Sequence, residues 1–137
     1  MHIVHVEKYE KLLNMLMDFN SSIRFAAVCN SQGDILWHSQ RSGVKNIIPL
    51  SDTKKTLQRA INAWQERAKI SDKVGRGLYV LAAYEKIKRI TIPLDKGNLL
   101  FISVTNEPLQ KTKSKSYGHL VEMGKIMSIV DFVNSAK

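Results

Sequence analysis

Cysteine is nearly absent: Cys29 stands alone among 137 residues. That excludes an internal disulfide framework and fits a reducing, cytoplasmic compartment. No uninterrupted apolar stretch is long enough to span a bilayer. Met1 to Tyr9 lacks a basic start followed by an apolar run, so no signal peptide is expected. Glycines number only seven, and none opens a phosphate-cradling loop. Gly75-Arg76-Gly77 precedes a strand, whereas such a loop follows one and leads into a helix N-terminus. Gly-Lys-Ser/Thr is absent, as are a serine elbow and a supported pair of carboxylates at helical spacing. Catalysis therefore has no visible machinery.

The rest of the composition is that of a folded protein. Hydrophobic residues make up 44% and charged residues 24%, which argues against disorder. The length suits a single domain over residues 1–137. A domain of this size buries roughly two-thirds of its unfolded surface and needs no metal or disulfide to fold. The charge is unusual. Lys and Arg number 21 against 12 Asp and Glu, a net +9. Such an excess favours an acidic partner, whether nucleic acid, an anionic surface or a protein. It also serves solubility, and no long block of charge decides between the two.

Hydrophobic spacing predicts the order α-β-β-α-β-β-β-α. A first helix runs from about Val6 to Phe19, with Tyr9, Leu12, Leu13, Leu16 and Met17 on one stripe. Ile23–Cys29 and Asp34–Gln40 read as strands around the turn Asn30-Ser31-Gln32-Gly33-Asp34, a β-hairpin. A connection over residues 42–50 leads to an amphipathic helix from Thr53 to Ile70, which Ser51 or Asp52 can cap. Ser71 to Gly77 reads as a loop, with Gly77 a flexible lead into the next strand. Leu78–Glu85 is apolar on both parities and should be covered on both faces. Lys88–Leu94 alternates, with Arg89 and Thr91 opposite Ile90, Ile92 and Leu94. The turn Asp95-Lys96-Gly97-Asn98 leads to Leu99–Thr105, again apolar on both sides. A linker-like stretch over residues 107–116 precedes a helix from Tyr117 to about Ser135 whose apolar arc is very wide. The expected fold is α+β, a five-stranded antiparallel sheet with helices on both faces.

Candidate chemical groups are few. His2 and His5 have the i, i+3 spacing of a shared metal site, but no cysteine cluster supports one, so no metal or cofactor is expected. His38 reads as a surface or edge residue. Cys29 reads as a small core residue, since a nucleophile would need a base and an orienting group beside it.

Two segments carry a family resemblance. Phe25-Ala26-Ala27-Val28-Cys29-Asn30-Ser31-Gln32-Gly33-Asp34-Ile35-Leu36 is a small-apolar strand, a polar-Gly turn and a second strand. Leu99-Leu100-Phe101-Ile102-Ser103-Val104 is an apolar last strand. With the element order, these resemble the roadblock (dynein light chain) family and its longin and profilin-like relatives over nearly the whole chain. The long basic middle helix and the basic loop before the last helix depart from the family pattern. The resemblance implies a non-enzymatic module that forms a homodimer or pairs with a related domain. Pairing would use the strand after the middle helix and that helix itself: Leu57, Ile61, Trp64, Leu78, Tyr79, Val80, Leu81 and Tyr84. It further implies a scaffold or regulatory subunit of a small-GTPase system. Independently, an apolar edge strand without proline is a liability unless something pairs with it.

The cations suggest a second reading. Lys54, Lys55, Arg59, Arg67, Lys69, Lys73, Arg76, Lys86, Lys88 and Arg89 fall close together in sequence. If the turn near Lys86 approaches the middle helix, they form one anion-binding patch, suited to sequence-nonspecific nucleic-acid binding. Aromatics interleaved with the charges would be expected for strand stacking, and Trp64 and Tyr84 fit core or interface better. A third reading is a small-ligand sensor, because related folds hold ligands between sheet and helix.

Overall fold

Tyr9, Leu12, Leu13 and Leu16 recur every three or four positions and form the buried stripe of α1 (Ile3–Phe19). The computed structural model describes residues 3–44, 50–106 and 122–135. After α1 come β1 (Ile23–Cys29), β2 (Ile35–Gln40), α2 (Leu50–Ala68), a single-turn α3 (Ser71–Val74), β3 (Val80–Ala83), β4 (Ile87–Pro93), β5 (Leu99–Thr105) and α4 (Met123–Ser135). The strands form one antiparallel sheet in the order β2-β1-β5-β4-β3.

The α+β expectation holds, and the element order holds with α3 added. Several boundaries move. α2 begins at Leu50, so Ser51 and Asp52 lie inside its first turn instead of capping it. Asp52 there still complements the positive end of the helix dipole. α3 occupies part of the expected loop. The strand expected over Leu78–Glu85 shrinks to Val80–Ala83. Residues 107–116 and the first part of the expected last helix, 117–121, lie outside the described residues.

The doubly apolar strands sort by position. β1 and β5 are central and covered on both sides. Ala26, Val28, Leu100, Ile102 and Val104 face α1 and α4, where Ile126, Val130 and Val133 complete the larger core. Phe25, Ala27, Cys29, Leu99 and Phe101 face α2, which adds Leu57 and Ile61. β3 is not covered twice as expected, because it lies at the margin of the sheet and α2 packs over β1 and β5 instead.

Turn chemistry fixes the ends. Asn30 Oδ1 accepts from the Gln32 and Asp34 amides, both at 3.0 Å, while Gly33 takes φ +86°. That is the left-handed conformation a tight turn needs at this position. Arg41, just past β2, closes the C-terminal end of α1. Its Nε donates to the Ile23 carbonyl at 2.8 Å, and Nη2 donates to the carbonyls of Met17 at 2.8 Å and Asn20 at 3.1 Å. Helix-end carbonyls need such external donors.

Cys29 is 1% exposed, and burial pushes its thiol from 9.0 up to about 11. Stability is therefore expected to be whole below pH 9 and to decline as pH rises through about 11. In that interval the unfolded thiol has lost its proton while the folded thiol keeps it, so rising pH favours the unfolded chain. The loss carried by Cys29 levels off at about 3 kcal/mol. Urea unfolding of the parent and Cys29→Ala across this range checks it, and equal pH slopes for the two would refute it.

Candidate interaction surface

Among the described residues β3 pairs with β4 only and ends the sheet. Parity assigns its side chains. Leu81 lies opposite Ile90 on the α1/α4 face and packs against the larger core. Val80 and Ala82 lie opposite Thr91 and Arg89 on the α2 face. Since α2 stops short of this margin, the α2 face of β3 and β4 is left as the floor of a groove of about 350 Å³. Thr56, Arg59, Ala63 and Arg67 of α2 form its wall, and Phe101 and Tyr84 also line it. Large apolar side chains stand open along the same margin: Leu78 is 48% exposed, Tyr79 42% and Tyr84 55%.

Two contacts set the groove's shape. Trp64 Nε1 donates to Thr91 Oγ1 at 3.0 Å, tying α2 to β4, and the Arg67 guanidinium lies 5.2 Å from the Trp64 ring centre. The chain at Gly77 also runs against that indole, so close that a Cβ there would overlap Trp64 Cζ3. Gly77 is thus a packing requirement, which its expected role as a flexible lead-in misses. Arg89 reaches across the floor. Its Nη2 donates to Thr56 Oγ1 at 3.0 Å, and its guanidinium lies 4.8 Å from the Phe101 ring centre. Burial lowers the Arg89 pKa, with Tyr84 opposing that shift. Among the described residues no carboxylate lies within ion-pair distance of Arg89.

The expected interface residues divide into three groups. Val80, Leu78, Tyr79, Tyr84 and half-buried Trp64 lie at the margin or beside the groove. Leu57 and Ile61 are only 1% and 5% exposed, being packed under α2 against Phe101 and Ala27. They belong to the core, with Leu57 also reaching the groove lining beside Thr56, Arg59, Ala63 and Arg67; Leu81 packs on the opposite face against the larger core.

The expected cationic patch is also divided. Lys54 pairs with Asp34 at 3.3 Å and Lys69 with Glu66 at 3.1 Å. Lys88 faces the α1/α4 side opposite Val104, is 6% exposed, and donates to Asn106 Oδ1 at 2.6 Å. Burial lowers its pKa. Arg59, Arg67 and Arg89 meet at the groove. Arg67 and Arg76 also border a second cavity near Pro93, and Lys55, Lys73 and Lys86 are exposed.

Asn106 was not expected to matter. Its Nδ2 donates to the carbonyls of Tyr84 at 2.6 Å and Glu85 at 2.9 Å, and its amide donates to Lys86 O at 2.9 Å. One side chain at the exit of β5 therefore fastens the β3–β4 turn. No sequence signal marks it, since asparagine after a strand is ordinary turn chemistry.

Cys29 lies opposite Ile35, whereas His38 lies opposite Ala27 and stacks on Phe25 at 6.0 Å. His2, His119 and the His5 side chain fall outside what is described. Among the described residues no three His, Cys, Asp or Glu side chains gather to hold a metal ion. Nor, among them, is any helix long and apolar enough to cross a membrane.

The marginal β3, the central β1 and β5, and helices on both faces give a roadblock/LC7-like fold. Solved structures carry the same fold. The gliding protein MglB from Thermus thermophilus superposes with a TM-score of 0.65 at 16% identity, over 96% of this chain and 92% of that one. An MglB described as having a tetrameric arrangement gives 0.65 at 15% identity, over 96% and 85%. A Roadblock/LC7 domain from Streptomyces avermitilis gives 0.60 at 8% identity, over 91% and 90%. No protein-family model and no curated sequence matches the chain.

Proposed function

We propose that residues 1–137 act as one non-catalytic roadblock-like module, a cytoplasmic scaffold or regulatory subunit of a small-GTPase system. It pairs through the open edge of β3 with a second copy or a related domain. The observation that carries this reading is the margin itself. Among the described residues Val80–Ala83 has a neighbour on one side only, and exposed Leu78, Tyr79 and Tyr84 flank it. An edge of this kind recruits a strand, because main-chain groups supply the bonds and alternate side chains supply the fit. The fold shared with an MglB of tetrameric arrangement supports assembly, and the small-GTPase setting rests on the family resemblance.

Light scattering at micromolar concentration is expected to show a species of at least twice 15.6 kDa. A single 15.6 kDa species would remove a second copy as the partner and leave only pairing with a related domain. Nucleic-acid binding is the weaker reading, because Lys54, Lys69 and Lys88 have partners inside the molecule. It would show as affinity for generic DNA or RNA that falls steeply with salt. The ligand-sensor reading would show as a small molecule retained in native mass spectrometry.

A further inference from the structure

Pairing at β3 raises the question of what kind of domain the groove accepts. The groove runs out to the β3 margin, since Val80, Ala82 and Tyr84 are part of its lining. Arg59, Arg67 and Arg89 line it, and among the described residues no carboxylate does. Glu66, the one acidic residue in the second half of α2, is paired with Lys69. Arg89 is held by the Thr56 hydroxyl, the Phe101 face and Tyr84, none of which is a carboxylate.

Symmetry makes this consequential. A two-fold contact sets a surface against itself. If two identical copies joined at β3, their grooves would merge, and twice three guanidiniums would share one cleft. A copy carrying +9 would also meet another +9. Like charges set against each other suppress a pairing, and opposite charges select it. Arginine is the side chain best suited to receive a carboxylate with two parallel bonds.

Resting on the pairing reading above, we infer that the preferred occupant of this groove is a non-identical sheet-and-helix domain that sets carboxylates opposite Arg59, Arg67 and Arg89. Self-pairing of this chain is the weaker, competing association. The chain is the basic half of an unlike pair.

The test builds an acidic half from the chain itself. Arg59 and Arg67 are exposed, so the double variant Arg59→Glu/Arg67→Glu should fold, which circular dichroism verifies. Parent and isotopically labelled variant are mixed at about 0.1 M salt, where charges within about 10 Å still interact. Native mass spectrometry and sedimentation then compare the mixed pair with the parent self-pair. The mixed pair is expected to be at least tenfold tighter, and the preference to collapse at about 1 M salt, where screening is nearly complete. If the parent pairs with itself as tightly as with the variant, the charge inference is overturned while pairing at β3 stands. If nothing associates in any combination, both fall. If the mixture stays apart while citrate raises the melting temperature of the parent but not of the variant, the groove takes a small anion and the inference is again overturned.

Discussion

Gly77→Ala is expected to lower stability by about 1–3 kcal/mol, the usual range for forcing volume into a packed site. The added methyl would overlap Trp64 Cζ3 and come within 3.1 Å of Cη2. The indole has little room to retreat, since its Nε1 is bonded to Thr91 and Arg67 stacks on it. Relief therefore requires losing the Trp64–Thr91 bond or lifting the chain that leads into β3. Urea midpoints measure the cost, and a change in tryptophan emission reports the displacement. Gly124→Ala is the control. Among the described residues nothing lies within 4 Å of the Cβ it would gain, and it sits in α4, where alanine is favoured by up to about 1 kcal/mol. A Gly77→Ala protein as stable as the parent would mean that the Trp64 contact does not constrain the chain.

Asn106→Ala is expected to cost about 2–4 kcal/mol. It removes both side-chain bonds to the β3–β4 turn and the Oδ1 acceptor of the buried Lys88 ammonium. A buried charge stripped of an acceptor is costlier than an ordinary lost hydrogen bond. Asn106→Asp separates the two effects: it restores an acceptor to Lys88 but loses the donors to the Tyr84 and Glu85 carbonyls. Its loss should fall between those of the parent and alanine forms. Hydrogen exchange at the Ala82 amide, which the antiparallel register bonds to Arg89, should accelerate in both variants, because the β3–β4 pairing opens from its turn. Unchanged exchange there in Asn106→Ala would show that the turn holds without this side chain.

Local signals made most elements legible. The Asn30–Asp34 turn, the stripe from Tyr9 to Leu16 and the two-sided apolarity of Leu99–Val104 each follow from spacing alone, and all three appear in the fold. Position within the sheet was less accessible. Leu78–Glu85 and Ile23–Cys29 are both rich in apolar residues, but only the second is central. That distinction depends on where α2 lies, and α2 lies over β1 and β5. The same limit applies to Leu57 and Ile61. An amphipathic stripe identifies a face that is buried without saying whether its cover is the same chain or another.

The cationic patch divides for a different reason, and part of that division was readable from the sequence. Lys86, Lys88 and Arg89 are neighbours in sequence, but period-two alternation sends adjacent strand residues to opposite faces. Lys88 shares the parity of Ile90 and Ile92, so it joins the α1/α4 face, while Arg89 joins the groove. Gly77 and Asn106 offered no comparable clue. Their importance comes from Trp64 and Lys88, which are distant in sequence and brought close by folding.

The Arg41 guanidinium holds backbone carbonyls on either side of the α1–β1 connection while standing at the exit of β2. Three pieces of chain thereby share one fastening, so the tail of α1 and the first hairpin should loosen together as one cooperative unit. The opposite rim is fastened separately, through Asn106 at the β3–β4 turn. Val80–Ala83 can detach while that unit stays closed, so a partner meeting this rim can engage a strand that breathes independently of the body behind it.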